Sequence, residues 1–227
     1  MARLANNPTS TKNLVRAYII AKEVVIARGF ADEIDWQEGV SLHVITERDF
    51  LRESAWVVLS SGMRASVIRE KFAAIGEAFY GWKSADEIAH SSGICSENAL
   101  SIFNHRPKID AIVEIAKRIA QTGFDVFKTR IASEGVSFIQ TLPFMGAATS
   151  FHLAKNVGLD VAKPDRHLLR IAASAGFGTP QAMCETISEI VGDRVSVVDL
   201  VIWRFATLHP AYDKFFAGMQ NRNCKQL

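Results

Sequence analysis

The sequence predicts an almost entirely α-helical protein. Apolar residues recur every three or four positions through most of the chain, alternation of the β type is scarce, and prolines and glycines fall between the periodic segments rather than inside them. At 227 residues, the chain can form one large domain or two small lobes sharing a core. A hydrophobic share of 48% against 22% charged residues is that of a soluble folded chain, not a disordered one.

Each element arises from local chemistry. Hydroxyls at Thr9, Ser10 and Thr11 offer caps for a first helix over 11–29, whose apolar side is Leu14, Ala17, Tyr18, Ala21 and Val25. The acidic, mixed stretch over 31–45 reads as a connection with a short extended piece. Thr46 and Asp49 form a capping box that opens a helix through Ala55, Trp56, Val58 and Leu59, ending near Ser60-Ser61-Gly62. Met63-Arg64 leads into a second amphipathic run through Val67, Ile68, Phe72, Ile75 and Phe79. Short helices come next over 84–90 and 96–103. Pro107 suits the first turn of a helix reaching Ala120, and another covers 124–132. After the break at Gly176-Phe177-Gly178, Thr179 caps and Pro180 opens a helix to about Val191. Val197, Leu200, Val201 and Phe205 mark a helix over 196–208, and Pro210 ends it or starts a last one through Phe216. The polar stretch from Asn221 to Leu227 is expected to fray.

Charge and cysteine usage narrow the function classes. The net charge of +2 means that any affinity for nucleic acid must come from a local basic face. Basic residues gather at Arg106, Lys108, Lys117, Arg118, Lys128 and Arg130, while acids dominate 31–49. Cys95, Cys184 and Cys224 are scattered without CxxC spacing, which favours neither a disulfide framework nor a four-cysteine metal cluster. A polar start and the lack of any membrane-length apolar run make the cytoplasm the expected compartment.

The most informative stretch is 138–171. An apolar helix end meets a tight turn at Leu142-Pro143-Phe144-Met145-Gly146; a second helix runs to about Asn156, Gly158 stops it, and a new helix opens at Asp165. Pro143 resists helix continuation and Gly146 tolerates a sharp reversal. Beyond the turn, the N–H groups of Gly146, Ala147 and Ala148 are the unpaired donors at a helix start, where a phosphate is attracted. Small side chains there let a nucleic-acid backbone approach without any base being read. An ordinary helix-turn-helix corner would look the same on these residues alone.

Leu142-Pro143-x-x-Gly146 before an Ala/Thr-rich helix, with Pro164-Asp165-x-His167-Leu168 after it, resembles the helix–hairpin–helix and catalytic aspartate of the HhH-GPD superfamily of DNA glycosylases. The similarity is strong over about 138–172 and weaker but collinear upstream, at 50–72 and at Asn104-His105-Arg106-Pro107-Lys108. The resemblance implies two helical lobes, one covering 46–160 with the hairpin and the other 1–45 plus 161–227 with the Asp165 helix, and a DNA-binding cleft between them. It implies an enzyme that acts as a monomer on double-stranded DNA. Two positions depart from the family pattern: Phe144 stands where glycine is usual, and Ala148 replaces the lysine of bifunctional members. The cysteine ligands of an iron–sulfur cluster, carried by several relatives, are missing.

The chemistry this resemblance implies is base extrusion and cleavage of the bond between base and deoxyribose. Asp165 is the candidate catalytic group, stabilising oxocarbenium-like charge on the sugar or handling the attacking water; it is equally a good helix N-cap. Pro143, Phe144, Met145, Gly146, Ala147 and Ala148 form the expected backbone grip. Met63 and Arg64 are candidates for the wedge that fills the vacated base position, and His105, Arg106, Arg166 and His167 are candidate DNA contacts. Lys155 and Lys163 read as phosphate contacts or solvated charges. Main-chain carbonyls of Gln140, Leu142 and Met145 match those that hold a monovalent cation in the family. Trp56, Trp82 and Trp203 read as core, with a smaller expectation that one stacks on the extruded base. The expected activity is monofunctional hydrolysis leaving an abasic site, of a damaged, mismatched or modified base, with defence against modified phage DNA as one role. A bifunctional glycosylase/lyase using a lysine such as Lys155, and a non-catalytic DNA-binding module, are the rivals.

Overall fold

A computed structural model describes residues 8–221, with the side chains of residues 11–217. The hydroxyls of Thr9 and Ser10, the tail over 222–227 and Cys224 lie outside the described set. Fourteen α-helices and no β-strand occur among the described residues, and none of these helices is long and apolar enough to cross a membrane. The chain divides into two units, Met1–Gly39 with Asp160–Leu227, and Val40–Leu159.

The first unit begins with α1 (Pro8–Ala27) and α2 (Ala31–Gly39). Helix α2 corrects the expected connection with an extended piece. Asp32 and Glu33 sit in its first turn, where negative charge complements the helix dipole, and Ile34 and Gln37 are buried one turn apart. So short an amphipathic signal is weak in isolation. Arg204 holds α2 in place through a forked pair with Glu33, at 2.6 and 2.9 Å.

The second unit runs from α3 to α10. Helix α3 (Glu47–Ser60) opens on the expected capping box, with Thr46 and Asp49 serving each other's backbone N–H. Next come α4 (Ala65–Ala78), α5 (Ala85–His90), α6 (Ser92–Ile102), α7 (Arg106–Thr122), α8 (Phe124–Glu134), α9 (Val136–Ile139) and α10 (Ala147–Asn156). Helix α6 starts four residues before the expected Ser96, because its first turn comes after α5 with only Ser91 between them. Helix α7 is the axis of this unit: Ile109, Ile112, Ile115, Ala116 and Ile119 line one buried side. Phe50 meets Phe127 edge-on at 5.2 Å, and Phe127 meets Phe138 at 4.9 Å, so a chain of rings links α3 to α8 and α9.

Two backbone features of this unit were not expected. Tyr80, Gly81 and Trp82 all have positive φ (54°, 65° and 62°), a left-handed turn that costs each side-chain-bearing residue about 1–2 kcal/mol. The Trp82 ring offsets it by stacking on Phe79 at 5.0 Å, in the core. At the far end, Gly158 (φ +98°) lies against the backbone of Ser41 and Leu42, so close that an added Cβ would collide with main-chain atoms.

The chain re-enters the first unit with α11 (Arg166–Ser174), α12 (Pro180–Val191), α13 (Val195–Leu208) and α14 (Tyr212–Asn221). Leu14, Tyr18, Leu168, Ile171, Met183, Ile187, Val198, Ile202 and Phe216 belong to one core. Pro210 separates α13 from α14, which continues past the expected Phe216. Tyr18 donates to Asp193, and Lys22 pairs with the same carboxylate at 2.7 Å. Burial and that carboxylate push the Tyr18 phenol far above its ordinary range.

Candidate functional site

In the second unit, the helix before the hairpin is reduced to the single turn α9, because Gly135 (φ +60°) breaks the chain after α8. Successive bonds then coil the backbone: Thr141 N–H donates to Phe138, Leu142 N–H to Ile139, and Met145 N–H to Leu142 at 3.2 Å. Leu142 and Met145 are both buried and anchor the arch at its two feet, while Phe144 at its tip is 39% exposed.

Phe144 has φ +63°, in the left-handed region that glycine occupies freely and a bulky side chain rarely does. Hydrogen bonds on both sides hold it there. Thr149 Oγ1 donates to the Phe144 carbonyl at 2.8 Å, and Arg118 Nη1 donates to the Thr141 carbonyl at 2.8 Å while its Nε pairs with Glu114 at 2.9 Å. Such a conformation persists only where its surroundings over-determine it. Neither Thr149 nor Arg118 stood out in the sequence as a hairpin residue.

The turn delivers the chain into α10 with Gly146 as an N-cap that has no side-chain hydrogen bond. Gly146, Ala147 and Ala148 are exposed, so the amides of the first turn face solvent at the positive end of the helix. Lys155, in the last turn of α10, is buried. It is not the solvated charge its sequence position permitted.

The remaining candidates of this unit fall in two places. Met63 and Arg64 occupy the turn between α3 and α4; both are exposed, and Arg64 is an N-cap without a side-chain bond. His105, the N-cap of α7, stacks flat on Phe103 at 6.0 Å, and Arg106 beside it is exposed. Lys108 is buried, with its ammonium donating to the carbonyls of Leu59, at 2.6 Å, and Ser61 at the end of α3. Burial lowers its pKa. Trp82 is core, and Trp56 packs edge-on against Phe72 at 5.2 Å.

In the first unit, Asp165 is the N-cap of α11. Its Oδ1 accepts from His167 N–H at 2.8 Å and Leu168 N–H at 3.0 Å, and the residue is half-buried. No described group donates to Oδ2. The strap over 160–165 that presents it is pinned by side chains. Gln181 Oε1 accepts from Ala162 N–H at 2.7 Å, Asp199 Oδ1 accepts from Lys163 N–H at 2.7 Å, and Asp160 Oδ1 accepts from Ser196 N–H at 2.8 Å. Asp199 is the unusual member, 1% exposed within the apolar helix α13. An acid in Val197-Val198-Asp199-Leu200-Val201 was the one signal in the sequence that could have marked it.

His167 is half-buried, edge-on to Tyr212 at 5.0 Å, and its Nε2 accepts from Arg166 Nε at 3.3 Å. Burial lowers its pKa despite the opposing pull of Asp165. The Arg166 and Arg170 cations work in the same direction as burial, and Arg166 is exposed beside the ring. Trp203 is half-buried against the core of this unit, with the Arg204 guanidinium over its ring at 4.8 Å.

Among the described residues, no group of three or more His, Cys, Asp or Glu is placed to hold a metal ion. Comparison of the chain with protein-family models, with curated proteins and with solved structures returns no match.

Proposed function

We propose that the chain is a monofunctional DNA glycosylase that extrudes a damaged or modified base and hydrolyses its N-glycosidic bond, leaving an abasic site. The observation that carries this reading is the hairpin: a glycine-like backbone kept at Phe144 by Thr149 and Arg118, opening on the exposed, uncapped amides of Gly146, Ala147 and Ala148. A helix start of this kind binds phosphate through main-chain donors and reads no base. It suits an enzyme that must hold a strand while one nucleotide turns out of it.

Asp165 then supplies the chemistry. With Oδ1 committed to the α11 cap, Oδ2 is the oxygen that stabilises the oxocarbenium-like sugar or takes a proton from the attacking water. Hydrolysis is favoured over a lyase reaction because Ala148 has no amine and Lys155 is buried. Met63 or Arg64 fills the space the base leaves. His105, Arg106, Arg166 and His167 contact the duplex, which the protein engages as a monomer. The carbonyls of Gln140, Leu142 and Met145 are those that would hold a monovalent cation, which would help to order the turn. No iron–sulfur cluster is involved.

A second reading has its own support. The two amides that Asp165 satisfies make a complete N-cap, which is all that a non-catalytic DNA-binding module would require of it. Mass spectrometry of free bases released from oxidised, alkylated, bacterial and phage DNA, by wild type and by Asp165→Asn, separates the two. Base release by wild type alone supports the glycosylase and names its substrate. DNA binding by both with release by neither leaves the module.

A further inference from the structure

We propose that Asp199 is a positioning residue for Asp165, acting through the Lys163 amide. The inference rests on the glycosylase reading and adds to it a second carboxylate that never touches DNA.

Asp199 sits in α13 between Val198 and Leu200, 1% exposed, where an apolar residue of similar size would cost nothing in desolvation. A buried carboxylate persists only where hydrogen bonds or charges compensate its lost hydration. One of the groups it holds is the Lys163 amide, whose N–H donates to its Oδ1 at 2.7 Å.

The lever from that bond to the catalytic carboxylate is short and stiff. Pro164 lies between the two residues and fixes its own φ, while restricting Lys163 to extended conformations. Asp165 N–H donates back to the Lys163 carbonyl at 2.8 Å, closing a three-residue turn across Pro164. Asp165 is then tied forward to α11 by its own cap. With the Lys163 amide anchored, few soft torsions remain between the anchor and the carboxylate. A connecting segment such as 160–165 would otherwise be among the more mobile parts of a domain. A group that must meet charge on a sugar tolerates displacements of only about 0.5 Å, and a shift of about 1 Å can cost a hundredfold in rate.

Two substitutions and one backbone replacement test this. Asp199→Val removes the acceptor and suits an apolar helix; Asp199→Asn keeps an oxygen at the same place. An amide-to-ester replacement between Ala162 and Lys163 deletes only the N–H, leaves every side chain in place, and serves should Asp199→Val fail to fold. Free-base release is measured on oxidised, alkylated and phage DNA, with steady-state constants for whichever wild type cleaves. The expected result is a kcat at least about tenfold lower for Asp199→Val and for the ester, with KM within about threefold. Asp199→Asn should stay within about threefold of wild type. A wild-type kcat in Asp199→Val or in the ester, alongside an inactive Asp165→Asn, overturns the positioning role and leaves the glycosylase standing. A wild type that releases no base from any of these DNAs overturns both.

Discussion

Replacing Phe144 by glycine and by alanine gives two stabilities whose order is opposite to the usual one. About three-fifths of the Phe144 side chain is covered, the residue being 39% exposed. Full burial of such a ring is worth about 1.5–3 kcal/mol, so either substitution forfeits about 1–2 kcal/mol. Alanine keeps the left-handed penalty at φ +63°, and glycine removes it, a relief of about 1–2 kcal/mol. Against that relief stands the extra chain entropy of glycine, about 0.5–1 kcal/mol. Phe144→Gly should therefore be more stable than Phe144→Ala by roughly 0.5–1 kcal/mol, whereas in an ordinary helix or strand glycine is the weaker of the two by about that amount. Urea unfolding reads the difference. With Trp36 and Trp203 changed to Phe, fluorescence reports Trp56 and Trp82, both in the unit that carries the hairpin. At equal m-values of about 2 kcal/mol/M, the midpoints should differ by about 0.3–0.5 M. A midpoint for Phe144→Ala equal to or above that of Phe144→Gly would refute the claim that the hairpin backbone is glycine-like.

Four further outcomes are expected. Asp165→Asn should abolish base release yet change the unfolding midpoint little, since asparagine caps a helix about as well as aspartate. Gly158→Ala should destabilise the second unit by about 3 kcal/mol or more, seen as a large drop in thermal midpoint, because a positive φ and a collision with the backbone of Ser41 and Leu42 act together. Lys108→Met should cost about 1–3 kcal/mol in urea unfolding by leaving the carbonyls of Leu59 and Ser61 without their donor. Glu53 is held above the ordinary carboxylate range mainly by burial, against the pull of Arg52 and the Asn156 amide. Its contribution to stability is thus complete below the unfolded-state pKa and lost as pH rises through the folded-state value. Glu53→Gln should gain on wild type at neutral pH, and the gap should close toward the acid range in a pH series of unfolding midpoints.

Helix content was legible because its signals are local. The Thr46–Asp49 box, Pro107, Thr179-Pro180 and the Gly158 stop each act within one turn, and each lies where those residues require it. Helix α2 was missed because what fixes it, the Arg204 fork on Glu33, is 171 positions away in the chain. The left-handed turn at Tyr80–Trp82 was missed although its partner is local, since the stack of Trp82 on Phe79, three positions away, is a property of the folded ring geometry and not of spacing. At the candidate site, the two tight motifs around Pro143 and Asp165 could be read directly. Thr149, Arg118 and Asp199 could not, because each reaches a backbone atom of a different segment and no spacing rule announces such a bond. Asp199 was the nearest to visible, as a lone acid in a run of valines and leucines.

The contact of Gly158 with Ser41 and Leu42 brings together the points where the chain enters and leaves the second unit. A segment whose two ends meet can be lifted out of its host as a module. The same adjacency makes it a natural candidate for circular permutation, with fresh termini opened at an exposed corner such as Gly62 and the old ones joined. A sequence that wanders away from Val40 to Leu159 and returns to its starting point behaves, topologically, as an inserted cassette.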